Sequence, residues 1–177
     1  MITCKDKQFE LFLTSEAIQT RLKEMCAQVN VDYAGKKPIF LGILNGVFRV
    51  ASDVFKYVEL DCEVSFVKLK SYVGTESSGA LTTLLGLDVD LTDRHVILLE
   101  DIVDTGRTLH KFLPELDKMN PASVAILTLL NKPDAMQHEI PMQYIGFKVP
   151  NNFLIGYGLD YDGWGRQHNA IYTIVEG

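Results

Sequence analysis

Three carboxylates, two hydroxyls, a glycine and an arginine crowd one short stretch, Glu100-Asp101-Ile102-Val103-Asp104-Thr105-Gly106-Arg107-Thr108. Before it, Val96-Ile97-Leu98-Leu99 reads as a strand buried on both faces. After it, residues 105–119 read as a helix with Leu109, Phe112, Leu113 and Leu116 on one side, ended by Pro121. That order dictates a chemistry. Residues 104–108 present free amide N–H groups at a helix start, two hydroxyls and, at Gly106, backbone that can approach a ligand closely, which together make a phosphate cradle. Glu100 and Asp101 would repel a bare phosphate and are expected to face magnesium or the hydroxyls of a sugar. One ligand carrying phosphate and vicinal hydroxyls satisfies both halves. The plainer reading, in which Asp104 and Thr105 only cap a helix beside solvated acids, is disfavoured by mutual repulsion among three acids at a buried strand end.

The elements that must hold this segment are legible as hydrophobic periodicity. Thr14 or Ser15 can cap a helix whose apolar face is Ile18, Leu22, Met25 and Val29. Lys36-Lys37-Pro38 breaks it, and Ile39-Phe40-Leu41-Gly42-Ile43-Leu44 reads as a second buried strand, turned by Asn45-Gly46. Helical spacing returns at Val47, Ala51, Val54, Phe55 and Val58, and residues 62–69 read as a strand. Residues 70–80, rich in Gly and Ser and without period, read as a mobile loop, and residues 123–130 as another strand. Residues 143–147, 153–156 and 170–175 read as short strands. Strands alternating with helices predict an α/β fold, a mostly parallel twisted sheet flanked by helices, with ligands beyond the carboxyl ends of the strands.

With 177 residues, 47% of them apolar, the chain is predicted to form one domain with a proper core. Its net charge of −6 argues against a surface built to hold polymeric nucleic acid, and no run of residues is apolar and long enough to span a membrane. Cys4, Cys26 and Cys62 match neither a disulfide framework nor paired metal ligands and read as buried thiols. The four histidines are scattered. Gly74-Thr75-Glu76-Ser77-Ser78-Gly79 has the glycine spacing of a P-loop, but Ala80-Leu81 stand where Lys and Ser/Thr are required; Gly156-Tyr157-Gly158 likewise fails as a dinucleotide fingerprint.

Glu100-Asp101-Ile102-Val103-Asp104-Thr105-Gly106 resembles the phosphoribosyl pyrophosphate (PRPP) motif of type I phosphoribosyltransferases, and its surroundings look like the hypoxanthine-guanine branch. Leu69-Lys70-Ser71-Tyr72, Leu129-Leu130-Asn131-Lys132 and the run from Val149-Pro150-Asn151-Asn152-Phe153 through Gly158-Leu159-Asp160-Tyr161, with Arg166 beyond, carry the resemblance across residues 40–166. It implies the type I fold, with a small hood from the terminal segments, about residues 1–15 and 143–177. Asp104, Thr105, Gly106, Arg107 and Thr108 would hold the 5′-phosphate, and Glu100 and Asp101 would address the ribose hydroxyls. Asp104 would handle the purine proton near N7, making it the catalytic residue. Lys132 would donate to O6, Phe153 stack on the base, and the backbone of Leu154 read its Watson–Crick side. Leu44, Asn45, Gly46 and Arg166 would meet pyrophosphate, and Ser71 and Tyr72 would belong to a lid. Asp160 would hold Mg2+, with Glu100 and Asp101 as further candidate ligands.

An ammonium can only donate, so Lys132 suits a 6-oxo group and clashes with the amino group of adenine. One position departs from the pattern: many relatives have lysine where Asn45 stands, after a strained peptide that can be cis. Arg49, one turn into the next helix, is the candidate replacement cation. The resemblance thus implies a cytoplasmic purine-salvage enzyme that transfers phosphoribosyl from PRPP to N9 of hypoxanthine or guanine. Its partners would be PRPP and a 6-oxopurine, with no nucleic acid or membrane, and it would act as a homodimer or homotetramer. The competing reading is a PRPP- or nucleotide-sensing regulator that binds nucleic acid; the charge, Lys132 and the lid segment oppose it.

Overall fold

The computed structural model describes residues 1–71, 81–85, 87 and 89–175. Two sheets organise the chain. The larger is built from β3 (Ile39–Leu44), β4 (Glu63–Ser71), β5 (Leu81–Leu85), β6 (His95–Val103), β7 (Ser123–Asn131) and β8 (Tyr144–Lys148), in the order β5-β4-β3-β6-β7-β8. All neighbours pair in parallel except β5, which is antiparallel to β4. The smaller, antiparallel sheet joins the terminal segments: β1 (Ile2–Cys4), β2 (Lys7–Leu13), β10 (Ile171–Ile174) and β9 (Leu154–Ile155), in that order.

Apolar runs become strands buried on both faces because successive side chains alternate sides. Phe40, Ile97, Leu99, Ala125 and Leu127 face one core layer, covered by α1 (Ser15–Asp32) and α2 (Phe48–Val54). Ile39, Leu41, Val96, Leu98 and Ile126 face the other, covered by Leu109, Phe112 and Leu116 of α3 (Arg107–Asp117). Helix α1 starts where predicted: Thr14 is its N-cap, and its Oγ1 accepts from Ala17 N at 3.1 Å. A smaller cluster of Cys4, Phe9 and Ile155 holds the terminal sheet together.

The ladder between β3 and β6 stops at the pair Gly42 and Leu99. Beyond it, β3 continues beside β4 to Leu44, and β6 beside β7 to Val103. The chain then leaves β3 toward α2 on one face and β6 toward α3 on the other. A crevice opens at this switch point, as open parallel sheets dictate.

Several boundaries differ from expectation. Strand β6 runs through both acids to Val103, and α3 begins two residues later than its apolar pattern suggested. The hood is narrower than residues 143–177: β8 is the edge strand of the main sheet, parallel to β7, because its register matches Leu127 to Tyr144 and Asn131 to Lys148. Cys4 and Cys26 are buried thiols, whereas Cys62 is partly exposed, since it lies just outside β4 at the foot of the sheet. Among the described residues no helix is long and apolar enough to cross a membrane.

Candidate active site

The crevice is a cavity of about 280 Å³ lined by Leu44, Asn45 and Gly46 on one side and by every residue from Glu100 to Thr108 on the other. Gly106 is the N-cap of α3 in the left-handed conformation, φ 75°, where glycine is favoured. No side chain caps this helix; Thr105 Oγ1 reaches only Arg107 N, at 3.4 Å. The first-turn amides therefore keep donors for a ligand, and the helix dipole favours an anion there. A β-carbon on Gly106 would lie 3.0 Å from the His138 carbonyl oxygen, so the segment behind the loop also requires glycine. Gln137 backs the same loop: its N–H donates to Thr105 O at 3.0 Å, and its side chain accepts from Arg107 Nε at 2.7 Å, turning that guanidinium outward.

The opposite pole of the cavity is acidic, with one of its two carboxylates buried. Glu100 is 7% exposed. Burial, and secondarily the neighbouring Asp101, push its carboxyl well above the usual carboxylate range. Burial likewise raises Asp101 to about 6, against the pull of backbone hydrogen bonds and Arg166 and with a further push from Asp160. Ile102 N donates to Asp101 Oδ1 at 2.9 Å. Gly46 packs against this carboxylate so closely that a β-carbon would sit 1.6 Å from Asp101 Oδ2. The Leu44–Asn45 peptide is cis, and Asn45 O accepts from Phe48 N at 3.3 Å as α2 begins.

Lys132 extends the β6–β7 ladder by one bond, its N–H donating to Val103 O at 3.0 Å. The residue is buried, and its ammonium is thereby brought to 3.5 Å from Asp104 Oδ2. Phe153 is 45% exposed, edge-on to Tyr161 at 5.8 Å and tilted to Phe9 at 6.4 Å, so one face is available for stacking. Leu154 is buried in β9, which pairs only with β10 among the described residues and so has one edge without a strand partner.

Asp160 and Arg166 pair with each other: Nη2 lies 2.6 Å from Oδ1, while Nη1 donates to Gly158 O at 2.6 Å and Gly163 N to Asp160 Oδ2 at 2.6 Å. Neither lines the cavity, yet both act on Asp101. Among the described residues no three His, Cys, Asp or Glu side chains converge on a metal position. Arg49, the candidate replacement cation, donates to Asn169 Oδ1 at 2.6 Å, lies over the Tyr157 ring at 5.4 Å and does not line the cavity. Of the lid segment, Ser71 ends β4 and Tyr72 lies outside the described residues. Nothing in the sequence marks the close approach of Gly46 to Asp101, that of Gly158 to Gly46 O, or the backing by Gln137 and His138; their signal is distance in space, which glycine identity alone does not carry.

A strand-edge phosphate cradle facing buried acids defines a class. A model of the phosphoribosyl transferase domain matches residues 10–162, and the chain belongs to that family. It is similar to the hypoxanthine-guanine phosphoribosyltransferases of Lactococcus lactis subsp. lactis, 41% identical over 89% of this chain and 86% of the relative, and of Streptococcus mutans, 40% identical over 86% and 85%. The crystal structure of a hypoxanthine phosphoribosyltransferase from Staphylococcus aureus superposes with a TM-score of 0.90 at 36% identity, covering 96% of this chain and 92% of that one.

Proposed function

We propose that the chain is a purine-salvage transferase that moves the 5-phosphoribosyl group from PRPP to N9 of hypoxanthine or guanine and releases pyrophosphate. Besides the family, one observation carries this reading: the Lys132 ammonium stands beside the Asp104 carboxylate, 3.5 Å away, next to the phosphate-cradling loop. On a 6-oxopurine, O6 and N7 lie side by side on one edge. A fixed donor for O6 next to a carboxylate that handles a proton at N7 suits that edge, whereas adenine would set an amino group against an ammonium.

The remaining roles follow the same logic. Residues 104–108 cradle the 5′-phosphate with neutral amides, and Glu100 and Asp101 meet the ribose hydroxyls and favour positive charge developing at the anomeric carbon. Phe153 covers the base, the free edge of β9 at Leu154 meets its Watson–Crick side, and Leu44, Asn45 and Gly46 face pyrophosphate from the cavity wall, with Arg166, paired with Asp160 outside that wall, as its candidate cation. The oxygen-only donors suit magnesium: Asp160 would hold it, with Asp101 and Glu100 nearby, and most ligands would come from substrate and water. When bound, the ion neutralises the leaving pyrophosphate. Ser71 and Tyr72 begin the segment that would exclude water during turnover. The reading further entails a homodimer or homotetramer, to be checked by light scattering, and a cytoplasmic setting, where highly charged PRPP is retained.

The test is a panel of hypoxanthine, guanine, xanthine, adenine and uracil with PRPP and magnesium, followed by nucleotide formation. Turnover is expected with hypoxanthine, guanine or both and not with adenine. Lys132→Ala should lose on the order of 100-fold or more in kcat/KM for the 6-oxopurine. Turnover of adenine without hypoxanthine would overturn the assignment.

A further inference from the structure

Tyr157 is buried to 1% exposure, yet its backbone sits at φ 51°, between Gly156 at 93° and Gly158 at 100°. Glycine adopts such conformations freely. A bulky aromatic does so rarely, and only where its surroundings over-determine it. Here the surroundings are a polar network 104 residues away in sequence. The Tyr157 hydroxyl donates to Asp53 Oδ2, the same oxygen that accepts from Gln19 Nε2 at 2.5 Å, and Lys56 Nζ pairs with Asp53 Oδ1 at 2.5 Å. Tyr57 OH donates to Gln19 Oε1 at 3.0 Å, and the Arg49 guanidinium lies over the Tyr157 ring. One phenol thus joins the hairpin that carries Asp160 and Arg166 to helices α1 and α2.

The two ends of this tie are informative. Asp53 is on α2, which begins directly after Leu44, Asn45 and Gly46. Gly158, next to Tyr157, is pressed so tightly on that loop that a β-carbon would lie 2.1 Å from Gly46 O. The loop and the hairpin are the two parts assigned above to pyrophosphate and magnesium. The 5′-phosphate cradle and Lys132 hang instead on β6, α3 and β7, while Phe153 and Leu154, the other base contacts, are held by β10 and packed near Phe9; no hydrogen bond among the described residues links any of these to Asp53 or Tyr157.

We propose that Tyr157, anchored by Asp53, is a positioning residue for the pyrophosphate half of the site: it fixes the Asp160–Arg166 hairpin against the loop Leu44-Asn45-Gly46. The proposal rests on the transferase reading and goes beyond it. The tie matters more here because Asn45 supplies no cation. Pyrophosphate must then be held by backbone amides and by Arg166, groups whose value depends on where they are placed. Asp53 remains paired with Lys56 and Gln19 when the phenol is removed, so the fold does not depend on Tyr157 alone.

The experiment uses the full chain, wild type beside Tyr157→Phe and Asp53→Asn. Calorimetry gives the Kd of magnesium pyrophosphate and of the product nucleotide, and steady-state kinetics gives KM for PRPP and for hypoxanthine. Both variants should weaken pyrophosphate and PRPP by about tenfold, while the Kd of the nucleotide and the KM of hypoxanthine move less than about twofold. A merely structural role would weaken all four together, and that result, or no change in any, overturns the proposal. Wild-type protein without turnover on the purine panel refutes the transferase reading instead. Pyrophosphate binding still judges the tie in that case, and its absence from the wild type overturns the tie as well.

Discussion

Asp101 shows how a single residue trades stability for chemistry. Burial holds its carboxyl up at about 6, above the value near 4 of an unfolded aspartate, so the native state keeps a proton that the unfolded chain has already released. Between those two values each rise in pH therefore costs stability, and above about pH 6 the whole cost is in place. An asparagine at this position cannot ionise, and its Oδ1 can still accept from Ile102 N. Asp101→Asn is expected to raise the melting temperature of the ligand-free protein by on the order of 5 °C at pH 8 and by almost nothing at pH 4. Turnover should fall at the same time, by about 100-fold, because the carboxylate proposed to face the sugar is gone. Thermal unfolding of both proteins between pH 4 and 8 checks this. A pH-independent difference would place the carboxylate in ordinary solvation. Glu100, raised by burial and by the neighbouring Asp101, adds to the same trend.

At the scale of elements, what could be read from sequence was local in cause. The apolar runs of β3, β6 and β7, the helical face of α1 and the phosphate turn into α3 each announce themselves within a dozen residues. The end of β6 did not, because charges usually mark water. Here pairing with β7 carries the strand through Glu100 and Asp101 to Val103. Nothing local marks β7 as the partner of strand β8, which the resemblance places in the hood, and the tie between Asp53 and Tyr157 has no local sign because it joins distant segments. Within the site, Lys132 stands beside Asp104 of the cradle, while Asp160 and Arg166 face each other and Arg49 donates to Asn169. The elements also differ in whether they touch substrate at all. Helix α1 carries no residue of the cavity, and its cap at Thr14 is exposed. Thr14→Ala should therefore cost about 1 kcal/mol in denaturant unfolding and leave kcat and KM for both substrates unchanged. A kinetic effect from this substitution would show that α1 transmits position to the site.

The whole molecule poses a different question, how a chain of net charge −6 binds one of the most anionic small substrates in metabolism. The division of the cavity answers it. In the proposed reading phosphate is met by uncharged amides at the uncapped start of α3, while carboxylates are confined to the pole where sugar hydroxyls, a cation and a cationic transition state are expected. Attraction of this kind is short in range and depends on shape, unlike the counterion release that drives binding to a nucleic-acid polymer. A ligand that binds only the folded state stabilises it by RT ln(1 + [L]/Kd), about 2.7 kcal/mol at a hundredfold excess over Kd. PRPP with magnesium at that excess should raise the melting temperature by roughly 5–10 °C. RNA or duplex DNA at equal phosphate concentration in low salt should leave it unchanged and should not retard in a gel. A shift produced by the polymer and abolished by moderate salt would assign the cradle to a nucleic-acid regulator, because only a surface that collects many phosphates loses its ligand that way.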